Sequence, residues 1–345
     1  MICMKVRSNL LNNKKILVTG GTGSFGTHFI KNILKFQDPA EIVVFSRDEK
    51  KQFDMRNQLN SEKIRYIIGN IRDKSAIKAA MNNVDYVFHA AALKQVPTCE
   101  FYPMEAIKTN ILGSNNIMDT SEDAGVDKVI ILGTDKSVYP INAMGMTKAL
   151  MEKIMTSKAR MKRTNTIFCG VRYGNVLFSR GSVLPLFLQQ IKNNLPLTVT
   201  NSNMTRFLLP LPEAVNLVLQ ALQSAETGDI LVRKSPAATI GTLASAMQEI
   251  FNYKKEVKII GTRIGEKMHE TLLTREEMLK TENNDKFYRV KNLEKMDYAK
   301  FYTLGEHDQI PEEGYTSENT QRLSIKETRD LLISLKEIQE GLGYS

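Results

Sequence analysis

Thr134, Asp135 and Lys136 put a hydroxyl, a carboxylate and an amine on three consecutive positions, directly after the apolar run 129–132. An acid and an amine held side by side can give and take protons once burial and mutual charge bring their pKa values towards the working pH. Taken alone, such a triplet is a turn with a solvated ion pair. Twelve residues further on, the stretch from Ser137 to Lys148 has added a phenol, Tyr139, and a second amine, Lys148. Lys148 falls on a helix predicted over 144–161. Tyr139 precedes Pro140, which disfavours helix there and keeps it extended.

A second chemical signal lies near the start of the chain. Thr19-Gly20-Gly21-Thr22-Gly23-Ser24-Phe25-Gly26 connects the buried-strand run 15–19 to an amphipathic helix predicted over 25–35. Gly20 permits the tight turn, Gly23 lets backbone amides approach a pyrophosphate, and Gly26 allows close helix–strand packing. The helix N-terminus supplies amides and a positive dipole end for an anion. The pattern therefore points to a dinucleotide, with Thr22, Ser24 and Phe25 in the same turn.

The elements that must position these residues follow from periodicity. Apolar runs at 41–45, 64–68, 86–89, 129–132 and 166–171 alternate with helical patterns at 74–81, 104–124 and 144–161. Continuous Ile/Val runs between helices imply a parallel sheet covered on both faces. The fold class is α/β, a Rossmann-type doubly wound parallel sheet with a smaller C-terminal α/β substrate domain. Residues 1–178, with 207–228 returning to them, make the dinucleotide-binding domain, and 179–206 with 229–345 the substrate domain. In the second unit, 213–225 and 240–251 read as helices and 229–232 and 257–260 as strands.

Composition narrows the partners. The 345 residues are 42% hydrophobic and 25% charged, which excludes a disordered or collagen-like chain. The net charge is +9, from 47 Lys+Arg against 38 Asp+Glu, and the basic residues are dispersed rather than blocked. Nucleic acid is therefore not expected, whereas a phosphorylated small molecule is. Cys3, Cys99 and Cys169 are too few for a disulfide framework, and His28, His89, His269 and His307 lack metal-ligand spacing, so no metal is expected. No stretch has the length of apolar sequence a membrane helix needs, and no signal-peptide core is present, so membrane insertion is not expected and the cytoplasm is the default location.

The G-x-x-G-x-x-G spacing resembles that of the extended short-chain dehydrogenase/reductase family, whose members act on nucleotide sugars. At the end of the second strand, Ser46, Arg47 and Lys51 favour the 2′-phosphate of NADP, while Asp48 keeps NAD open. Asn70 and Ile71 would lie near the adenine, where the family usually has Asp-Val. Ala90, Ala91 and Ala92 would run beneath the cofactor, and Lys94 would reach towards the sugar. In a typical member, a Tyr four residues before the helix Lys takes the substrate hydroxyl proton. Lys148 is in place to hold the nicotinamide ribose, but the position four residues earlier is Met144.

Asp135-Lys136, the Tyr-Pro-Ile-Asn-Ala-Met-Gly run and Lys148 closely resemble the inverting UDP-N-acetylglucosamine 4,6-dehydratases (5-epimerising) of capsule and O-antigen synthesis, which similarly carry Met. The likeness extends through the runs 91–97, 172–176, 204–207, 265–270 and 315–320. It implies hydride removal from sugar C4, loss of the C5 proton to Lys136, departure of water from C6 with Asp135 as acid, hydride return to C6 and reprotonation of C5. Lys136 would need a pKa lowered by burial or by Lys148, and Asp135 one that is raised. Thr134 would hydrogen-bond the C4 oxygen, and Met144 would make an apolar contact. Tyr139, Lys148 or Asp135 through water would accept the C4 hydroxyl proton. UDP would meet Asn175, Arg180, Ser182, Val183, Thr205, Arg206, Arg263 and Glu266. The resemblance also implies a homo-oligomer, dimer or hexamer, with a tail from Thr303 able to latch onto a neighbour. Two other readings remain open: a UDP-sugar 4-epimerase, which needs no C5 base, and a silent NADP-binding regulator, which Met144 would allow.

Overall fold

The computed structural model describes residues 9–161, 163–292 and 310–343. Part of the tail from Thr303 lies outside them. The strands are β1 (Lys15–Thr19), β2 (Glu41–Ser46), β3 (Ile64–Ile68), β4 (Tyr86–His89), β5 (Lys128–Leu132), β6 (Ile167–Arg172), β7 (Leu197–Val199), β8 (Thr205–Phe207), β9 (Ile230–Arg233), β10 (Ala237–Thr239), β11 (Val257–Ile259), β12 (Thr271–Leu273), β13 (Thr281–Asn283), β14 (Phe287–Val290) and β15 (Tyr315–Thr316). The helices are α1 (Ser24–Phe36), α2 (Glu49–Leu59), α3 (Lys74–Ala80), α4 (Val96–Phe101), α5 (Pro103–Ala106), α6 (Ser114–Asp123), α7 (Ala143–Met161), α8 (Val183–Lys192), α9 (Leu211–Ser224), α10 (Ile240–Ile250), α11 (Arg275–Met278), α12 (Ile325–Ile333) and α13 (Lys336–Gly341).

The doubly wound fold expected from the alternating runs is the one found. Strands β3-β2-β1-β4-β5-β6-β9 are mutually parallel, and β14 and β13 close the edge antiparallel. Both faces of β1, β2 and β5 are buried, which is why they read as unbroken apolar runs. Two core clusters flank the sheet, one with Leu17, Val43, Val87 and Met155, the other with Ile16, Val44, Phe29 and Val218. The strand order reverses between β1 and β4. In such sheets the crevice at the carboxyl ends of the strands at this reversal takes the ligand.

Three features depart from the sequence expectations. Helix α2 gave no periodic signal because only Gln52 and Met55 are buried on it. It starts on a cap instead, the Asp48 side chain accepting from Lys51 N. The single helix expected over 104–124 is α5, a π-helical segment (Ile107–Gly113) and α6. The large sheet also takes up β9, β13 and β14, so 230–233 and 281–290 belong to it rather than to the second unit. Helix α9 packs against α1 and β6, with Lys128 Nζ bonded to the carbonyls of Leu222 and Ala225 at its end.

The second unit has its own core, with Phe187, Leu197, Met204, Leu243 and Leu332 buried between α8, α10 and α12. The two-stranded pairs β8–β10 and β7–β11 lie around it, whereas β12–β15 buries Leu272, Leu273 and Tyr315 in a core cluster of the large sheet. Among the described residues no helix is long and apolar enough to cross a membrane.

One buried ionic network ties the units behind the cleft. Arg172, at the end of β6, donates Nε and Nη2 to Glu152 Oε2 at 3.0 and 2.7 Å. Its Nη1 and Nη2 reach Glu277 at 2.7 and 2.8 Å. Glu152 Oε1 in turn accepts from Ser137 Oγ at 2.8 Å. Removing the guanidinium would strand two carboxylates away from water. Arg172→Met is therefore expected to lose roughly 3–5 kcal/mol in chemical denaturation. Adding Glu152→Gln and Glu277→Gln to it is expected to recover part of that loss. A single variant as stable as the parent would contradict this reading.

Candidate active site

A cleft of about 1770 Å³ opens along the carboxyl ends of the strands, large enough for a dinucleotide together with a second nucleotide. Gly20, Thr22, Gly23, Ser24, Phe25 and Gly26 line one end of it. Gly20 has φ +65°, and a Cβ there would come within 2.8 Å of Ala91 N. Only glycine lets the turn lie this close to the end of β4, where Ala90, Ala91 and Ala92 also line the cleft. Gly23 is the N-cap of α1 and makes no side-chain cap, so the first amides of the helix are left for a ligand.

Ser46, Arg47, Lys51, Asn70 and Ile71 line the same cleft beyond β2 and β3. Here the residues are partly committed to one another. Ser46 Oγ accepts from Gln52 Nε2 at 3.0 Å, and Lys51 Nζ pairs with Asp48 at 2.8 Å. Asn70 Oδ1 accepts from Arg72 N at 3.1 Å.

At the centre, Thr134 caps a single 3₁₀ turn, Asp135–Ser137, that follows β5. Thr134 Oγ1 donates to Asp135 Oδ1 at 2.9 Å, and Lys136 Nζ donates to the same oxygen at 3.0 Å. Glu270, just before β12, brings Oε1 to 3.3 Å from Lys136 Nζ. Arg206 Nε stands 3.8 Å from that Glu270 oxygen. Asp135 and Glu270 are 1% and 2% exposed, and Asp135 Oδ2 and Glu270 Oε2 have no hydrogen-bond partner in the structure. Thr134, Asp135, Lys136, Arg206 and Glu270 all line the cleft.

The charges of this cluster act on one another with both carboxyl groups buried and the Lys136 side chain partly open to the cleft. Burial, with the Glu270 charge behind it, raises the Asp135 carboxyl against the pull of Lys136 and Thr134. That agrees with an acid. Lys136 departs from the sequence expectation. Burial alone would lower it, but the Asp135 and Glu270 carboxylates outweigh burial and hold its pKa above the usual lysine value. The amine with a lowered pKa is Lys148, which burial brings down to about 8 against the Glu152 charge. Lys148 and Met144 both line the cleft from α7, one turn apart.

Two residues expected at the site are directed elsewhere. Tyr139 has a left-handed backbone, φ 45°, and its hydroxyl donates to Glu276 at 2.9 Å on α11. It is half exposed and does not line the cleft, so it is no partner for the C4 hydroxyl in this conformation. Thr205 is buried behind Arg206. Its hydroxyl is engaged with His269 Nδ1 at 2.8 Å and Ser317 Oγ at 2.6 Å, so it holds β8 to the following loops instead of a ligand.

The other residues expected on the substrate side are brought to the cleft wall. Lys94, Asn175, Arg180, Ser182, Val183, Arg263 and Glu266 line the cleft. Asn175 Oδ1 and Ser182 Oγ are buried without a partner, an arrangement that suits polar groups waiting for a ligand. Lys94 is lowered by burial and by the Arg180 and Lys136 charges, a concentration of positive charge that fits phosphates. The segment carrying Arg263 and Glu266 is fastened across the cleft. Asn142 Nδ2 donates to Gly265 O at 2.9 Å and Lys267 Nζ to Val138 O at 2.6 Å. His89 is a satisfied core residue, bonded to Thr19 and Ser114 at 2.8 Å each and lowered to about 3 by burial.

Sequence reasoning gave no role to Glu270 or Tyr173. Tyr173 lines the cleft and stacks on Phe25 at 6.3 Å. Glu270 lies 134 positions beyond Lys136, and no local spacing connects the two.

Comparison with known proteins agrees with this architecture. Residues 16–292 match the family described as "Polysaccharide biosynthesis protein", and residues 294–339 that described as "Polysaccharide biosynthesis protein C-terminal". A protein of Rickettsia bellii (strain OSU 85-389) named UDP-glucose 4-epimerase is 54% identical over 335 residues, 96% of this chain and 98% of that one. The X-ray structure of Pen from Bacillus thuringiensis aligns with a TM-score of 0.86 at 34% identity, covering 94% of this chain and 100% of that chain. DesIV from Streptomyces venezuelae, a dTDP-glucose 4,6-dehydratase with NAD and TYD bound, aligns at 0.67 with 20% identity, over 74% and 86% of the two chains, and shares the fold.

The turn that carries Asp135 and Lys136 depends on one glycine. A Cβ on Gly145 would overlap the Lys136 carbonyl oxygen, because the first turn of α7 packs directly on that peptide. Gly145→Ala is expected to displace Lys136 and lower turnover at least tenfold while cofactor affinity, read by fluorescence titration, stays within about twofold. Unchanged turnover would show that the turn tolerates the shift.

Proposed function

The chain belongs to the polysaccharide biosynthesis protein family, and on that footing we propose that it is a UDP-N-acetylglucosamine 4,6-dehydratase that also epimerises C5. The observation that carries this reading is the buried Asp135–Lys136–Glu270 cluster on the cleft wall. An enzyme that only moves a hydride in and out at C4 has no use for a raised carboxyl beside a basic amine. An elimination across C5 and C6 needs both an acid and a base at neighbouring carbons.

The glycine turn and the uncapped start of α1 suit a nicotinamide dinucleotide. Gly20, Gly23 and Ser24 would hold its pyrophosphate, and Ser46, Arg47 and Lys51 favour NADP over NAD. When bound, the nicotinamide supplies the hydride acceptor for C4 and the donor that later reduces C6.

The protein's own groups supply the proton steps. Met144 cannot accept the C4 hydroxyl proton. Lys148, one turn along and with a pKa near 8, has a substantial fraction of free amine near neutral pH and takes that role. Thr134 turns its hydroxyl from Asp135 to donate to the C4 oxygen. The ketone acidifies the C5 proton, which the Lys136 amine removes. Asp135, whose pKa burial raises, protonates the departing C6 hydroxyl, and water leaves. Lys94, Arg180, Arg206 and Arg263 surround the UDP phosphates, which suits the chain's positive balance.

A second reading is a UDP-sugar 4-epimerase, favoured by the name its Rickettsia relatives carry. It would use the same cofactor and Lys148 but return the hydride to C4. Incubation with UDP-N-acetylglucosamine and NADP⁺, followed by proton NMR, separates the two. A C6 methyl doublet is expected. A galacto product would establish the epimerase in its place, and unchanged substrate would overturn both. Lys136→Ala is expected to abolish solvent deuterium uptake at C5 with cofactor still bound, and persisting uptake would refute the base assignment.

The pH profile tests Lys148. Below its pKa the amine is charged and cannot accept a proton, so kcat/KM is expected to rise with pH and level off above about 8. Lys148→Arg is expected to remove that limb and lower kcat by roughly 10²–10⁴-fold. A limb that survives the substitution would assign the proton to another group.

A further inference from the structure

Glu270 is the one carboxylate of the central cluster that comes from outside the turn after β5. Its backbone is fixed on both sides, Glu270 N donating to Ser317 Oγ at 2.9 Å and Ser317 N donating to Glu270 O at 2.8 Å. Its side chain is 2% exposed, faces the cleft, and spends one oxygen on Lys136 at 3.3 Å and on Arg206 at 3.8 Å. The other oxygen is buried with no partner. A carboxylate placed so carries a desolvation cost that the fold alone does not require.

Resting on the dehydratase reading, we propose that Glu270 is the positioning residue of Lys136: with Asp135 it brackets the amine, aims it at the substrate, and makes it a stronger base for the C5 proton. The C5 proton next to a ketone is only weakly acidic, so an amine with higher proton affinity removes it faster in its free form. The cost is that less of the amine is free near neutral pH. In the step itself the nitrogen lone pair forms a new N–H bond, and the C5–H electron pair passes into the enolate. Lys136 becomes an ammonium between two carboxyl groups, and the enolate carries the balancing negative charge. The charged groups facing Lys136 are Asp135 on its own turn, Glu270 before β12 and Arg206 on β8, with Lys94 and Lys267 near enough to act on it through charge. Arg206 and the two lysines oppose the carboxylates, and Glu270 adds its charge to that of Asp135 on the other side of the balance. The raised pKa of Lys136 and the lowered one of Glu270 agree in sign with that bracket.

The test uses the cofactor-loaded enzyme and its own 4-keto product in deuterated buffer, reading C5 proton washout against pH. This isolates C5 chemistry from the C4 oxidation that Lys148 serves. In Glu270→Gln the rising limb is expected to move to lower pH by roughly one unit, while the high-pH plateau falls by roughly tenfold. Glu270→Asp, which keeps the charge, is expected to restore most of both. A structural defect would lower the plateau without moving the limb, and that result would overturn the proposal. The Lys136 side chain is also titrated directly through ¹³Cε NMR in the substrate-free protein, assigned with Lys136→Arg. A midpoint unchanged by Glu270→Gln would overturn the pairing whatever the washout shows. If the wild-type enzyme makes no 4-keto-6-deoxy product, the dehydratase reading fails on its own, and this titration still decides the Glu270 assignment.

Discussion

Two buried carboxyl groups hold one amine between them on the wall of the cleft, and much of the fold around the cleft serves to keep them there. In such a setting an unpaired charge is costly and a paired one is strong, so the three groups hold one another in charge state as well as in place. Asp135 is pushed towards its protonated form because burial outweighs the nearby amine. Lys136 stays basic because two carboxylates outweigh its burial. The turn that carries both is clamped from below. Ser137 bonds to Glu152, Glu152 to Arg172, and Arg172 to Glu277, while α7 presses on the Lys136 peptide at a position only glycine can occupy.

This clamp also explains how the two parts of the molecule cooperate. Glu270 and Glu277 lie on either side of β12, one facing the cleft, the other the Arg172 network. Lys267 and Gly265 reach across to Val138 and Asn142 on the catalytic segment. The loop that would cover a bound UDP-sugar is therefore bonded to the stretch that leads from the catalytic turn into α7.

Most of the sheet was legible in the sequence, because strands buried on both faces leave unbroken Ile/Val runs, and the glycine turn is local by nature. Helix α2 was not legible, since it is held by the Asp48 cap and buries only Gln52 and Met55. The break in the 104–124 helix was hidden because the π-helical segment Ile107–Gly113 contains no proline and starts without a side-chain cap. At the site, adjacent residues were readable and distant ones were not. Asp135, Lys136 and Lys148 sit within one stretch, whereas Glu270 joins them only through the packing of β12. Tyr139 was misleading for a related reason: its proximity in sequence said nothing about Glu276, which draws the hydroxyl outwards. The Lys136 expectation failed on sign, because its neighbour Asp135 and a second carboxylate supplied from far along the chain, Glu270, together outweigh its burial.

The central claim is that this cluster turns a C4 oxidation into an elimination. The most direct measurement follows a deuterium placed at C4 of UDP-N-acetylglucosamine through a single conversion. The account predicts that the label appears in the C6 methyl group of the product, as CH₂D. Label found back at C4, in the inverted configuration, would contradict it.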